Sequence, residues 1–328
     1  MQLLRILKQY ESLLIVGYYP PPLGGISVHI YRLHKQLLNS SILDTTKKEL
    51  FKGQKAIKLF FELLTGRYQA VHIHVYDIKI LLVVWAARKL KKFDIIFTAH
   101  NPRLFHTNHE LYKKFYKLFL SNVDFLVAVS EHIIEDYKVN NVKLPKNIII
   151  ENAFLPPPLE DEQKIFDSYP KSLLAFTASH SPILTANASS IVLINDVDLY
   201  GLDMCIELTA MLKENFSDIG FVFALADDKR NEQYIATMKK RIVDLGIENN
   251  FYFLTGQKEL WPLFKQSNLM VRPTYSDGYG ISIAEALYFD SPAIASDVCD
   301  RPKGTIFFDN RNIDDLYKKS FSILKGKN

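Results

Sequence analysis

An apolar, β-branched run followed by an amphipathic stretch recurs along the whole chain, and that alternation leaves few ways to fold. In the first half the runs are LLIVGYY (13–19), AVHIHVY (70–76), DIIFTAH (94–100), DFLVAVS (124–130) and NIIIENA (147–153). In the second they are LLAFTAS (173–179), GFVFALA (220–226), NFYFLTG (250–256), NLMVRPT (268–274), PAIASD (292–297) and TIFF (305–308). A strand that is apolar on both faces has to be covered on both, which is the situation of a parallel strand between helices. The alternation breaks at FLPPPLEDEQKIFDSYPKS (154–172), where prolines and charges interrupt any period. The expected fold is α/β, with two doubly wound Rossmann-like domains facing a cleft. Residues 1–155 would form the first domain, 156–172 a linker, 173–310 the second domain, and 311–328 a C-terminal helix packing back on the first. With 328 residues and 48% hydrophobic content the chain can fill two cores.

Composition narrows the setting. Cys205 and Cys299 are the only cysteines and stand far apart, so neither a disulfide framework nor a zinc site is suggested, and a reducing compartment is expected. No stretch reaches 18 uncharged apolar residues, so a cytoplasmic protein without a membrane span is expected. Charge is unevenly shared: residues 1–155 carry 22 Lys+Arg against 12 Asp+Glu, and residues 156–328 carry 18 against 24. The excess cations lie in KKELFKGQKAIKLFFELLTGR (47–67), RKLKK (88–92) and YKKFYKLFL (112–120), interleaved with Phe, Leu and Tyr at helical spacing. Two readings stay open: solvated outer faces of ordinary helices, or amphipathic basic helices on an anionic membrane surface. No pattern for reading bases accompanies the charge, so nucleic acid is not an expected partner.

Ligands of doubly wound sheets lie beyond the C-terminal strand ends, so the loops there are where chemistry is expected. In YYPPPLGGISVHIYRLHKQL (18–37), Gly24 and Gly25 precede a helix whose first N–H groups suit an anion. In FTAHNPRLFHTNH (97–109), His100 closes a strand and would point its imidazole into the cleft. His106 and His109 have helical spacing but no carboxylate partner, and His72 and His74 read as core histidines. In VRPTYSDGYGISIAEAL (271–287), Gly278 and Gly280 flank Tyr279 before a helix starting near Ile281, where the N–H groups from Gly280 to Ser282 would be free for an anion. Asp277 and Glu285 bracket that turn, and carboxylates accept paired hydrogen bonds from vicinal diols. Asp196 and Asp198 form a DxD, which reads as helix capping rather than a metal site.

Taken together, PPLGGISVHIYRL, FTAHNP, VAVSEHI, IIIENAF, LYGLDMCIEL (199–208) and DGYGISIAEAL resemble, in order, landmarks of the retaining GT-B glycosyltransferases of family 4 (group 1), in particular bacterial polysaccharide- and O-antigen-building members. The resemblance implies metal-independent transfer from a nucleotide-sugar, UDP- or GDP-linked, to a glycan or lipid-linked oligosaccharide, at the inner membrane face. It implies Glu285 at the ribose, Asp277 at the transferred sugar, and the backbone of Gly278, Tyr279, Gly280, Ile281 and Ser282 at sugar and phosphate. Gly24 and Gly25 would approach the diphosphate and His100 the donor sugar. The usual Arg after the first strand of the second domain and Lys before its helix are missing, with Tyr200 standing in the Lys position. Arg272, Arg301, Lys303, or Lys229 with Arg230, are the candidates to replace them. A noncatalytic nucleotide-sugar-binding or accessory protein, and a nucleotide-sugar epimerase of the same architecture, are the alternatives.

Overall fold

The computed structural model describes residues 2–21, 23–46, 53–101, 105, 109–256 and 258–326, and it divides after Leu155 into two units, each built on its own six-stranded parallel sheet. In the first unit the strands are β1 (Leu13–Gly17), β2 (Ser40–Asp44), β3 (Ala70–Ile73), β4 (Asp94–Ala99), β5 (Phe125–Ala128) and β6 (Asn147–Ile150). They lie in the order β2-β1-β3-β4-β5-β6. The helices are α1 (Gln2–Leu7), α2 (Gly25–Lys35), α3 (Gln54–Thr65), α4 (Ile78–Leu90), α5 (Glu110–Leu120) and α6 (Glu131–Val139). All residues of β1 and β3 are buried, as the continuous apolar runs require. Leu13, Ile15, Ala70, Ile96 and Val127 of the sheet pack with Ile30 and Leu33 of α2 and with Leu3 and Leu7 of α1. Each fully buried leucine or isoleucine there contributes about 1.5–3 kcal/mol. Glu151, just past β6, caps α1 by accepting from the N–H of Gln2 at 2.6 Å and of Leu3 at 2.9 Å.

The second unit opens with α7 (Glu162–Asp167) and α8 (Lys171–Ser179), then β7 (Ile183–Ser190), a small hairpin of β8 (Leu193–Ile194) and β9 (Val197–Asp198), and α9 (Leu202–Lys213). It continues through β10 (Gly220–Asp227), α10 (Glu232–Asp244), β11 (Phe251–Thr255), α11 (Trp261–Gln266), β12 (Leu269–Arg272), α12 (Ile281–Tyr288), β13 (Ala293–Ser296), β14 (Ile306–Phe308) and α13 (Ile313–Lys325). The strand order is β11-β10-β7-β12-β13-β14, so the chain reverses direction across the sheet between β7 and β12. One face is covered by α9, α10 and α13, whose Leu202, Ile206, Ile235, Leu316 and Leu324 join Phe221, Phe223 and Leu269 of the strands.

Three expectations are corrected here. LLAFTAS is helix α8, and the first strand of the second unit is the more polar ILTANASS. Pro170 starts a helix well and leucine and alanine continue it, while a short apolar run does not by itself separate helix from strand. Residues 156–172 are structured within the second unit: Lys265 pairs with Glu162 at 2.8 Å, and buried Tyr169 donates to the Glu259 carbonyl at 2.7 Å. The C-terminal helix buries Leu316 and Leu324 in the core of the second unit, in place of the expected packing on the first.

Candidate active site

The crossover between β7 and β12 concentrates the polar chemistry of the second unit. Arg272 is the last residue of β12, and its Nη1 donates to the Asn187 carbonyl at 3.0 Å and to Asn187 Oδ1 at 3.3 Å on neighbouring β7. Its Nε donates to Asp277 Oδ2 at 3.0 Å, and its guanidinium lies over the Tyr200 ring, 5.3 Å from the centroid. Arg301 reaches the same Oδ2 from the loop after β13, its Nη1 at 2.8 Å, while its Nη2 donates to Thr274 Oγ1 at 2.9 Å and to Ser296 Oγ at 3.3 Å. Asp277 Oδ1 accepts from the Gly278 N–H at 2.9 Å. Thus two arginines, 5 and 24 residues away in sequence, close on one carboxylate.

Electrostatics follow from that packing. Burial alone would raise the Asp277 carboxyl, but the two guanidinium groups outweigh it and hold it well below the usual carboxylate range. Burial likewise opposes the charge on Arg272, and Asp277 more than restores it. Asp277 is therefore a fixed anion, unsuited to donating a proton. Its Oδ2 is fully engaged, which leaves a lone pair of Oδ1 as its remaining acceptor.

This geometry separates the candidate cations. The Arg301 side chain is 0% exposed and its donors face Asp277, Thr274 and Ser296, so it holds the loop that carries Asp277. Arg272 keeps Nη2 without an acceptor among the described residues. Lys303, Lys229 and Arg230 are exposed. Gly280 takes φ +91° as the N-cap of α12, and a side chain there would crowd Ile283 and Arg301, which explains a glycine at this turn. No described residue accepts from the N–H groups of Ile281 and Ser282, the first two of α12. Tyr279 is half-buried, and Glu285, one turn into the helix, is 6% exposed. Asp198 accepts from the N–H of Tyr200 at 2.9 Å and of Leu202 at 2.8 Å, so it fixes the start of α9, which is the capping role expected of it. Sequence reasoning missed Asn187, Thr274 and Ser296; the first lay in a strand too polar to recognise, and the others show no pattern until the loops close.

In the first unit, Gly24 and Gly25 stand where expected, at the start of α2. Gly24 is extended (φ −168°), its N–H donates to Ser27 Oγ at 2.9 Å, and Gly25 is exposed. His100 directly follows the last residue of β4, as expected. It is 9% exposed at the end of β4, and its Nε2 is 2.9 Å from His74 Nδ1. His29, His72, His74 and His100 form one buried cluster, with ring centroids 4.1 Å apart for His72 and His74 and 5.2–5.5 Å for the other close pairs. Burial lowers all four, His29 to about 4 and His72 to about 3, so the rings are neutral. Among the described residues no group of three or more His, Cys, Asp or Glu is arranged to hold a metal ion. His106 lies outside the described residues.

Comparison with known proteins agrees with this architecture. The family model described as glycosyl transferases group 1 matches residues 191–326, the segment that holds Arg272, Asp277, Glu285 and Arg301. The lipopolysaccharide glucosyltransferase WaaG of Escherichia coli (strain K12) is 24% identical over 174 residues, 53% of this chain. That alignment spans 44% of the length of WaaG. The structure of Anabaena Alr3699/HepE in complex with UDP and glucose superposes with a TM-score of 0.71 over 97% of this chain and 90% of that one, at 13% identity. A glycosyltransferase from Rickettsia africae ESF-5 gives 0.68 over 96% and 89%, at 14% identity. The chain thus has the GT-B fold, and its residues 191–326 match the model of the group 1 glycosyl transferases.

Proposed function

We propose that this protein is a retaining, metal-independent glycosyltransferase that moves a sugar from a nucleotide-sugar, UDP- or GDP-linked, to a glycan or lipid-linked oligosaccharide in bacterial cell-surface polysaccharide synthesis. The observation that carries the reading is the Arg272–Asp277–Arg301 cluster at the β7/β12 crossover, inside the group 1 segment and beside the start of α12. HepE, with the same fold, is described in complex with UDP and glucose, and WaaG as a lipopolysaccharide glucosyltransferase, which favours a nucleotide-sugar donor and a surface-glycan product.

In this mechanism Arg272 takes over the role of the missing cations. Its Nη2 and the N–H groups of Ile281 and Ser282 receive charge on the departing diphosphate, the term that dominates such a step. The Tyr200 ring lies under the guanidinium, a cation–π contact that helps to hold it in place. Oδ1 of Asp277 accepts one hydroxyl of the transferred sugar, and Glu285 accepts the ribose diol. In the first unit, Gly24 and Gly25 suit an anion at the start of α2, and His100 suits a sugar hydroxyl.

The test is a panel of UDP- and GDP-sugars in thermal-shift and transfer assays. The cognate donor at about 100 times its Kd should add roughly 2.7 kcal/mol. Arg272→Gln should lower kcat by about 100-fold, and EDTA should change nothing. Donor binding without turnover on any lipid extract would identify an accessory protein, and unchanged activity in Arg272→Gln would refute the assignment of the cation.

A further inference from the structure

The four-histidine cluster of the first unit constrains where its protons lie. His29 Nδ1 is 2.6 Å from the Ala153 carbonyl, which only accepts, so His29 carries its proton on Nδ1. The contact between His74 Nδ1 and His100 Nε2 needs one donor and one acceptor. If His100 donated, the His74 proton would sit on Nε2, a fully buried nitrogen with no hydrogen-bond partner. If His74 donates, its Nε2 carries only an unpaired lone pair. Stranded N–H groups are the rarer and costlier of the two in protein interiors. His100 must then carry its proton on Nδ1. That atom has no hydrogen-bond partner, yet it is not among the buried unpartnered nitrogens, so it is the part of the side chain that reaches the surface.

We propose that His74 is a positioning residue that fixes His100 as the Nδ1–H tautomer, so that the end of β4 presents a neutral hydrogen-bond donor for an uncharged ligand oxygen. The surroundings fit a fixed orientation. The His100 N–H donates to Tyr76 Oη at 2.7 Å, and His72 closes the far side, its Nε2 2.7 Å from Thr98 Oγ1. Arg32, whose charge acts on His29, is itself engaged with the Leu155 carbonyl at 2.9 Å. A neutral donor suits a sugar hydroxyl and gives no charge stabilisation to a diphosphate. This assignment of ligand rests on the glycosyltransferase reading; the tautomer does not.

The test uses the full chain with 15N-labelled histidine and long-range 1H–15N correlation. Wild-type His100 should show a protonated Nδ1 and a bare Nε2. His74→Asn places an amide donor where Nδ1 stood and should retain that signature, whereas His74→Leu removes the donor that fixes the tautomer and should bring the Nε2–H form into a mixture of the two. In transfer assays His74→Leu should raise KM for the nucleotide-sugar about 10-fold, with His74→Asn near wild type and affinity for the free nucleoside diphosphate unchanged in both. A wild-type His100 protonated on Nε2 would overturn the proposal, as would equal transfer kinetics in His74→Leu and His74→Asn. If no donor is turned over by the wild type, the glycosyltransferase reading fails while the NMR result still decides the tautomer.

Discussion

At the scale of single residues, the second unit depends on one carboxylate. Asp277→Ala would leave Arg301, whose side chain is 0% exposed, and the nearly buried Arg272 without their counter-ion. Removing one partner of a buried pair costs about 3–5 kcal/mol, and chemical denaturation should show a loss of that size. The pH dependence follows from its depressed folded pKa. The unfolded carboxyl, near 3.9, binds the proton first as pH falls, so the stabilisation is complete above about pH 5 and is lost progressively as pH drops through the folded value. The histidine cluster works in a higher window. His29 is held at about 4 when folded against 6.5 when free, so the unfolded chain binds more protons between those values. Its contribution is present in full above about pH 6.5 and is lost as pH falls toward 4. Trp85 and Trp261 lie in different units, so Trp85→Phe and Trp261→Phe variants report each unit separately. The first unit should lose stability between pH 6.5 and 4, and Asp277→Asn should flatten the acid slope of the second below pH 5. The identity of Asp277 as a candidate was legible from its place beside two glycines. Its engagement with Arg301 was not, because no spacing rule links a loop after β12 to a loop after β13.

Among the elements, Gly201 joins the hairpin to α9 with φ +69°, and a Cβ there would collide with the Pro273 carbonyl and stand 2.8 Å from Pro273 Cγ. The glycine therefore lets the start of α9 pass directly beside the residue after Arg272. Gly201→Ala should cost at least about 2 kcal/mol from the backbone conformation and the collision together, read as a lowered melting temperature, and should weaken donor binding by displacing Tyr200 from under Arg272. Most strands were legible because their runs are continuously apolar. β7 was not: Thr185, Asn187 and Ser189 dilute its hydrophobicity, and its burial comes from being central in the sheet between β10 and β12. α8 was misread for the converse reason, since a helix needs only one buried face: Leu173 packs in the core of the second unit and Leu174 is exposed.

For the molecule as a whole, one face of α5 sets exposed leucines beside a lysine. α5 buries Tyr116, Phe119 and Leu120 and leaves Leu111 (78%), Lys114 and Leu118 (48%) exposed at the spacing of one helical face. If that face meets an anionic membrane, Leu111→Ser with Leu118→Ser should weaken binding to phosphatidylglycerol vesicles at least about 10-fold, with stability nearly unchanged, and added salt should weaken the wild type. Cosedimentation measures both. By itself, the amino-acid sequence determined the class of fold, its two large sheets and the turn from Arg272 to Glu285, because apolar periodicity and glycine placement are local properties. Only the tertiary structure decided that Arg301 is a buried brace, that Arg272 is the arginine with a free donor, and that His100 shows one nitrogen from a closed cluster. Those outcomes depend on which side chains meet after folding, Arg272 with Asn187 across 85 residues and His74 with His100 across 26.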